Sequence, residues 1–210
     1  AWQPNVTSHV VTTRPKAGAN NTHEAGTSAE AAYNCTRTLK YMQAVIHGKW
    51  VVDISWLHAS RQAGYFVDER PYEIAGDMTG SGMNCGMNCG GPRKGRLAKE
   101  QGKAPPLQDW RCVLVGDFTT PSPSLMRELL GMMGAVVEDL FTLAPHGLQL
   151  PSSRRKKGPQ TSSRKITFIT EQSYELLDEK TREALRKQNG AGSLVDRTWL
   201  FDSISWYAPQ

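Results

Sequence analysis

The chain has 210 residues, of which 39% are hydrophobic and 21% charged, enough for one large domain or two small ones that each bury a core. No run of about 18 apolar residues occurs, and the opening AWQPNVTSHVV lacks the basic-then-apolar layout of a secretory signal, so an intracellular protein without a membrane span is expected. The formal charge of +5 and pI near 9.1 suit an anionic partner, although 25 Lys+Arg against 20 Asp+Glu is only a mild excess.

In chain order, the first predicted strand is Ser8 to Thr12, whose Val10 and Val11 are β-branched. A helix follows over Arg37 to His47, with Leu39, Met42 and Ile46 on one face and Gly48 as its stop. Trp50-Val51-Val52 reads as a buried strand, and Asp53 stands where the next helix wants its N-cap. Residues 76 to 106 combine glycines, the near-duplicate GMNCGMNCGG, Pro105-Pro106 and scattered Arg and Lys, a linker composition. Arg111 to Gly116 reads as a strand, Ser124 to Met133 as a helix with Leu125, Leu129 and Met132 inward, and Ala135 to Val137 as a second strand. An irregular stretch over 144 to 164, expected to be disordered, precedes a strand at Ile166 to Thr170, a helix from Glu179 to Gln188 and a strand at Leu194-Val195.

Two of these segments are copies. VVDISWLHAS over 51 to 60 and LVDRTWLFDS over 194 to 203 match at five of ten positions, pairing Val52 with Val195, Asp53 with Asp196, Trp56 with Trp199, Leu57 with Leu200 and Ser60 with Ser203. In each, a strand runs into an aspartate. A tryptophan one turn into the following helix can then pack back on the sheet, with Leu57 or Leu200 continuing the stripe. Strand, helix, strand, helix recurring twice predicts an α/β fold of parallel sheets covered by helices.

Chemistry-bearing motifs are sparse. No G-x-G-x-x-G follows a strand, and neither G-x-x-x-x-G-K-[ST] nor G-x-S-x-G occurs. The histidines His9, His23, His47, His58 and His146 are scattered, and one C-x3-C pair, Cys85 and Cys89, lacks the second pair a structural zinc site needs. A binding module rather than an enzyme is expected, with no cofactor and no metal. The stretch over 152 to 165 holds six basic residues and no acid; it reads as a solvated loop, with nuclear import or phosphate-backbone contact as alternatives.

The segments VTSHVVTT, RTLKYMQAVIHGKWVVDISWLHAS and PYEIAGD, then GPRKGRLAKEQ, WRCVLVGDFTT, MGAVVEDLF and RTWLFDSISWY, resemble the tandem BRCT family of the breast-cancer susceptibility protein and its RING-domain partner. The resemblance implies two repeats, each a small parallel four-stranded sheet flanked by helices: residues 1-75, which start inside the first repeat and lack its first strand and helix, a linker over 76-106, and a second repeat over 107-210. It also implies a nuclear DNA-damage-response scaffold that reads phosphoserine in a Ser-x-x-Phe-like motif. Any ubiquitin-ligase activity would then lie in a RING domain outside this chain. Thr38 and Lys40 would hold the phosphate and Arg37 the peptide backbone. Met42, Thr120, Pro121 and Phe201 would line the pocket for the aromatic side chain, with Arg197 at its edge. The family has an aromatic where Met42 stands and an Asn-Met pair where Thr120-Pro121 stands. The site's chemistry suits an anion, because a helix N-terminus offers unpaired N–H groups and the positive end of the dipole. A competing expectation is a BRCT pair that binds chromatin, nucleic acid or poly(ADP-ribose) through the basic loop.

Overall fold

The computed structural model describes residues 2–13, 33–78, 88–116, 118–138, 165–171, 179, 182–183 and 192–210. They fall into two compact units, one of Ala1–Ala104 with Phe201–Gln210 and the other of Pro105–Leu200. The expected boundaries differ from this division at the C-terminus, where the last ten residues join the first unit.

In the first unit, β1 (His9–Thr12) runs parallel to β3 (Trp50–Asp53), and β2 (Tyr33–Cys35) runs parallel to β4 (Ile74–Asp77). The helices are α1 (Leu39–Ile46), α2 (Ser55–Ala63) and α3 (Gly91–Glu100), with a 3-10 turn at Arg70–Tyr72. Val51 and Val52 are fully buried, as an apolar strand between covering elements should be, and Tyr41, Ala44, Val45, Ile46, Trp56 and Ile74 complete the core. The predicted helix over Arg37 to His47 is α1 with its two caps: Thr38 precedes it, His47 ends it, and Gly48 takes φ +62 to turn the chain toward β3.

The second unit holds β5 (Trp110–Val115), α4 (Pro123–Met132), β6 (Val136–Glu138), β7 (Lys165–Thr170) and β8 (Gly192–Asp196), followed by α5 (Arg197–Trp206), which passes into the first unit after Leu200. Its sheet is four-stranded and wholly parallel in the order β6-β5-β7-β8. The central strand β5 buries Cys112, Val113, Leu114 and Val115 in a continuous apolar run, the signature of a parallel sheet covered on both faces.

Several expectations are corrected. The first unit shows two two-stranded ladders where a four-stranded sheet was expected. By the duplication, β1 and β3 correspond to β7 and β8, and the described residues of this unit contain no counterpart of β5 to join them to a further strand. The stretch read as linker, 76 to 106, includes the last two residues of β4, Gly76 and Asp77, and a ten-residue helix, α3. Gly91 and Gly95 permit that helix: a Cβ at Gly91 would lie 1.8 Å from the Ser205 carbonyl oxygen, and one at Gly95 2.2 Å from that of Val45. Leu39 is 39% exposed rather than core, since it opens the first turn of α1. The buried face of α4 is Met126, Leu129, Leu130 and then Met133, one residue round from that expected, while Leu125 and Met132 are half-buried. Asp53 ends β3 instead of capping directly; Ile54 is the cap residue, but the Asp53 carboxylate still accepts from the Ser55 N–H at 3.0 Å. The expected helix over Glu179 to Gln188 lies outside the described residues except at Glu179, Arg182 and Glu183. The insertion over 144 to 164 lies wholly outside them, as does the basic stretch up to Arg164.

Candidate functional site

The start of α1 brings Arg37, Thr38 and Lys40 onto one turn of chain. Thr38 is extended, at φ −110 and ψ 163, and its hydroxyl oxygen accepts from the Tyr41 N–H at 3.1 Å while its carbonyl accepts from Met42 at 3.0 Å. The hydroxyl proton remains available. The N–H groups of Leu39 and Lys40, in the first turn, have no intrahelical acceptor, and the first turn carries no acidic side chain. Thr38 and Lys40 are both exposed, and among the described residues Lys40 has no ion-pair partner. The result is a small electropositive surface of two backbone donors, one hydroxyl and one ammonium.

Arg37 is placed differently from its neighbours. Its side chain is only 4% exposed, with Nε 3.1 Å from Asp77 Oδ1 and Nη2 2.8 Å from Asp202 Oδ1. Asp77 is fully buried and also accepts from the Ser205 hydroxyl. The guanidinium therefore fastens β4 and the C-terminal part of α5 to the start of α1, and its charge is met by two carboxylates. Met42 follows one turn into α1, where it is buried at 9% exposure. Nearby, burial pushes the Cys35 thiol up to about 12, with the Asp77 carboxylate adding to the shift, and burial likewise raises Tyr41 far above the ordinary phenol range.

The second unit assembles its candidate residues by itself. Thr120 is exposed, Pro121 half-buried, and Arg197, the first residue of α5, is 39% exposed. Arg197 Nη1 donates to the Thr120 carbonyl and, at 3.1 Å, to Glu171 Oε1. The same Glu171 oxygen accepts the N–H groups of Thr119 and Thr120, each at 3.0 Å, and the Thr119 hydroxyl at 2.7 Å. The Thr120 N–H above all, then the hydroxyl and N–H of Thr119, hold the Glu171 carboxyl below its usual range. Phe201, on the part of α5 that belongs to the first unit, is half-buried.

The structure thus groups Arg37, Thr38 and Lys40 at the start of α1 with Met42 one turn further on, and in the second unit it joins Thr120 to Arg197. Sequence reasoning missed Asp77, Asp202, Ser205 and Glu171. Asp202 and Ser205 lie 165 and 128 residues from the groups they meet, so no local pattern marks them. Glu171, just past a well-predicted strand, could have been suspected as an acid facing the predicted Arg197.

No protein-family profile matches the chain. Among curated proteins, it is 29% identical over 215 residues to the BRCA1-associated RING domain protein 1 of Arabidopsis thaliana, covering 98% of this chain and 26% of that protein. It is 32% identical over 115 residues to the breast cancer type 1 susceptibility protein homolog of Mus musculus, covering 54% of this chain and 6% of that protein. The chain therefore spans about a quarter of the first relative and less of the second. Among solved structures, the BRCT5-BRCT6 domains of S. pombe Brc1 align at TM-score 0.58 and 16% identity, covering 98% of this chain and 80% of that one. The chain is homologous to the BRCT regions of these relatives, and its fold is that of tandem BRCT domains.

Proposed function

We propose that this tandem BRCT region is a phosphoserine-peptide reader, the non-catalytic scaffold module of a nuclear DNA-damage-response protein. The observation that carries the reading is the start of α1. There an exposed Lys40, a Thr38 hydroxyl with a free proton and the N–H groups of Leu39 and Lys40 share a helix end that bears no acid. A phosphate carries close to two negative charges and three acceptor oxygens, which suits that set of donors. Charge-assisted bonds of this kind contribute about 1.5–3 kcal/mol each.

In this reading Thr38 and Lys40 bind the phosphate. Arg37, its head group engaged by Asp77 and Asp202, sets the position of the helix end and meets the peptide through its backbone and remaining N–H donors. Thr120, Pro121 and Arg197 are assigned to the residue three places further on, where replacement of the family's Asn-Met pair broadens the choice of side chain; Met42, in place of the family's aromatic, and Phe201 stay candidates for the same residue on the strength of the resemblance. Neither phosphate binding nor peptide holding calls for a cofactor. The relative's RING domain supports a parent ubiquitin ligase whose activity lies outside this chain.

The test is titration of the protein with paired phosphorylated and unphosphorylated Ser-x-x-Phe peptides. A preference for the phosphorylated form of roughly tenfold or more is expected, equivalent to one good charge-assisted contact. Equal affinities reject the reading. Chromatin or nucleic-acid binding would instead show a steep salt dependence that flattens when Arg154, Arg155, Lys156 and Lys157 are neutralised.

A further inference from the structure

A loop that presents recognition groups ordinarily samples several conformations, and fixing it in advance of binding lowers the ordering cost that the ligand must offset. The turn after β5 is fixed in an unusual way. One oxygen, Glu171 Oε1, collects the N–H groups of Thr119 and Thr120 at 3.0 Å each, the Thr119 hydroxyl at 2.7 Å and Arg197 Nη1 at 3.1 Å. A carboxylate offers about four lone-pair sites over two oxygens, so four donors on one oxygen make it the hub of the turn. The Thr120 carbonyl closes the ring by accepting from the same guanidinium. The Glu171 side chain is 11% exposed, whereas that of Arg197 is 39% exposed. Among the described residues, Nε and Nη2 of Arg197 have no acceptor. The inner edge of the guanidinium is therefore held and its outer edge is presented.

We propose that Glu171 is a positioning residue for peptide recognition, fixing the Thr119-Thr120 turn and the Arg197 guanidinium in one arrangement that presents the outer guanidinium N–H groups to the residue three places beyond the phosphoserine. The proposal rests on the phosphopeptide reading and adds to it a residue that touches no ligand. Glu171 acts through Arg197 and Thr120, so its loss acts on selectivity at the third position rather than on the phosphate. A glutamate is ionised throughout the neutral range, and the donors around Glu171, the Thr120 N–H first, hold its carboxyl still further below the usual range, so the turn stays clasped there.

The experiment compares the protein with its Glu171→Gln and Glu171→Ala variants, titrating Ser(P)-x-x-Phe and Ser(P)-x-x-Ala peptides. Glutamine keeps the length and one acceptor oxygen but loses the charge. The preference for Phe over Ala is expected to fall roughly fivefold in both variants, the scale of one guanidinium–aromatic contact, while the preference for phosphorylated over unphosphorylated peptide stays. A folded variant with an unchanged Phe-to-Ala ratio overturns the proposal. A second measurement needs no peptide and no variant: the amide proton shifts of Thr119 and Thr120 should follow one carboxylate titration below the usual glutamate range. Amides that do not titrate overturn the clasp itself. If the clasp titrates but the protein does not distinguish phosphorylated peptide, the functional reading is what has failed, and the peptide role of Glu171 falls with it.

Discussion

The segments Asp53–Ser60 and Asp196–Ser203 share their polar chemistry in detail. In the first, the aspartate accepts the N–H two residues on, from Ser55 at 3.0 Å, and the serine hydroxyl accepts the N–H seven residues on, from Val67 at 3.2 Å. In the second, Asp196 accepts from Thr198 at 2.8 Å and Ser203 from Gln210 at 3.3 Å. Their apolar positions part company. Trp56 is 4% exposed, donates to the Val67 carbonyl at 2.9 Å and lies between the His9 and Phe66 rings, whereas Trp199 is half-buried and tilts against Trp110 at 5.2 Å. Leu57 is 38% exposed beside a shallow cavity lined also by Arg61, Tyr65 and Phe66, while Leu200 is fully buried. Asp202, which pairs with Arg37, stands where the first copy has Ala59. Local backbone bonds are kept because short-range geometry satisfies them wherever the segment sits; burial and long-range ion pairs depend on what each copy meets.

The largest effect should come from the cation that the second copy's Asp202 shares with the fully buried Asp77. Arg37→Ala leaves the fully buried Asp77 without its cation, and a loss of about 3–5 kcal/mol is expected in denaturant unfolding. Asp202→Ala should cost less, because Asp77 still meets Arg37. Next, Leu200→Ala should cost about 2–5 kcal/mol and Leu57→Ala within about 0.5 kcal/mol. Equal costs would mean that the two leucines share an environment and would remove the contrast. The smallest effects belong to the shared chemistry: Asp53→Ala and Asp196→Ala should each cost about 1 kcal/mol, the value of a lost helix-start acceptor. A large disparity between the two would show that the copies differ in their polar scaffold too.

What could be read from the sequence follows the same division. The strands at 8 to 12 and 166 to 170, the helix at 37 to 47 and the duplicated Asp-Trp-Ser pattern were legible because each is written in consecutive residues with period two or period 3.6. Thr38 and Lys40 were legible as groups at a helix end. The α3 helix was not, because Gly91 and Gly95 are poor helix formers whose purpose appears only when backbone carbonyls of Ser205 and Val45 approach them. The exposed Leu39 and the rotated face of α4 turned on one residue of helical phase, which an alternation of Leu and Met does not resolve. Arg37 with Asp202 and Glu171 with Thr120 are long-range pairings, 165 and 51 residues apart, which no local pattern specifies; the one signal was the position of Glu171 just past a predicted strand.

The central claim is that the cationic start of α1 reads a phosphate, and Lys40→Met tests it most directly because the side chain is exposed and its loss should leave unfolding unchanged. Calorimetric titration of phosphorylated and unphosphorylated peptide, run on the protein and this variant side by side, should show the phosphate preference falling by roughly tenfold or more in the variant. A preference that survives the substitution intact would place the phosphate elsewhere and contradict the account.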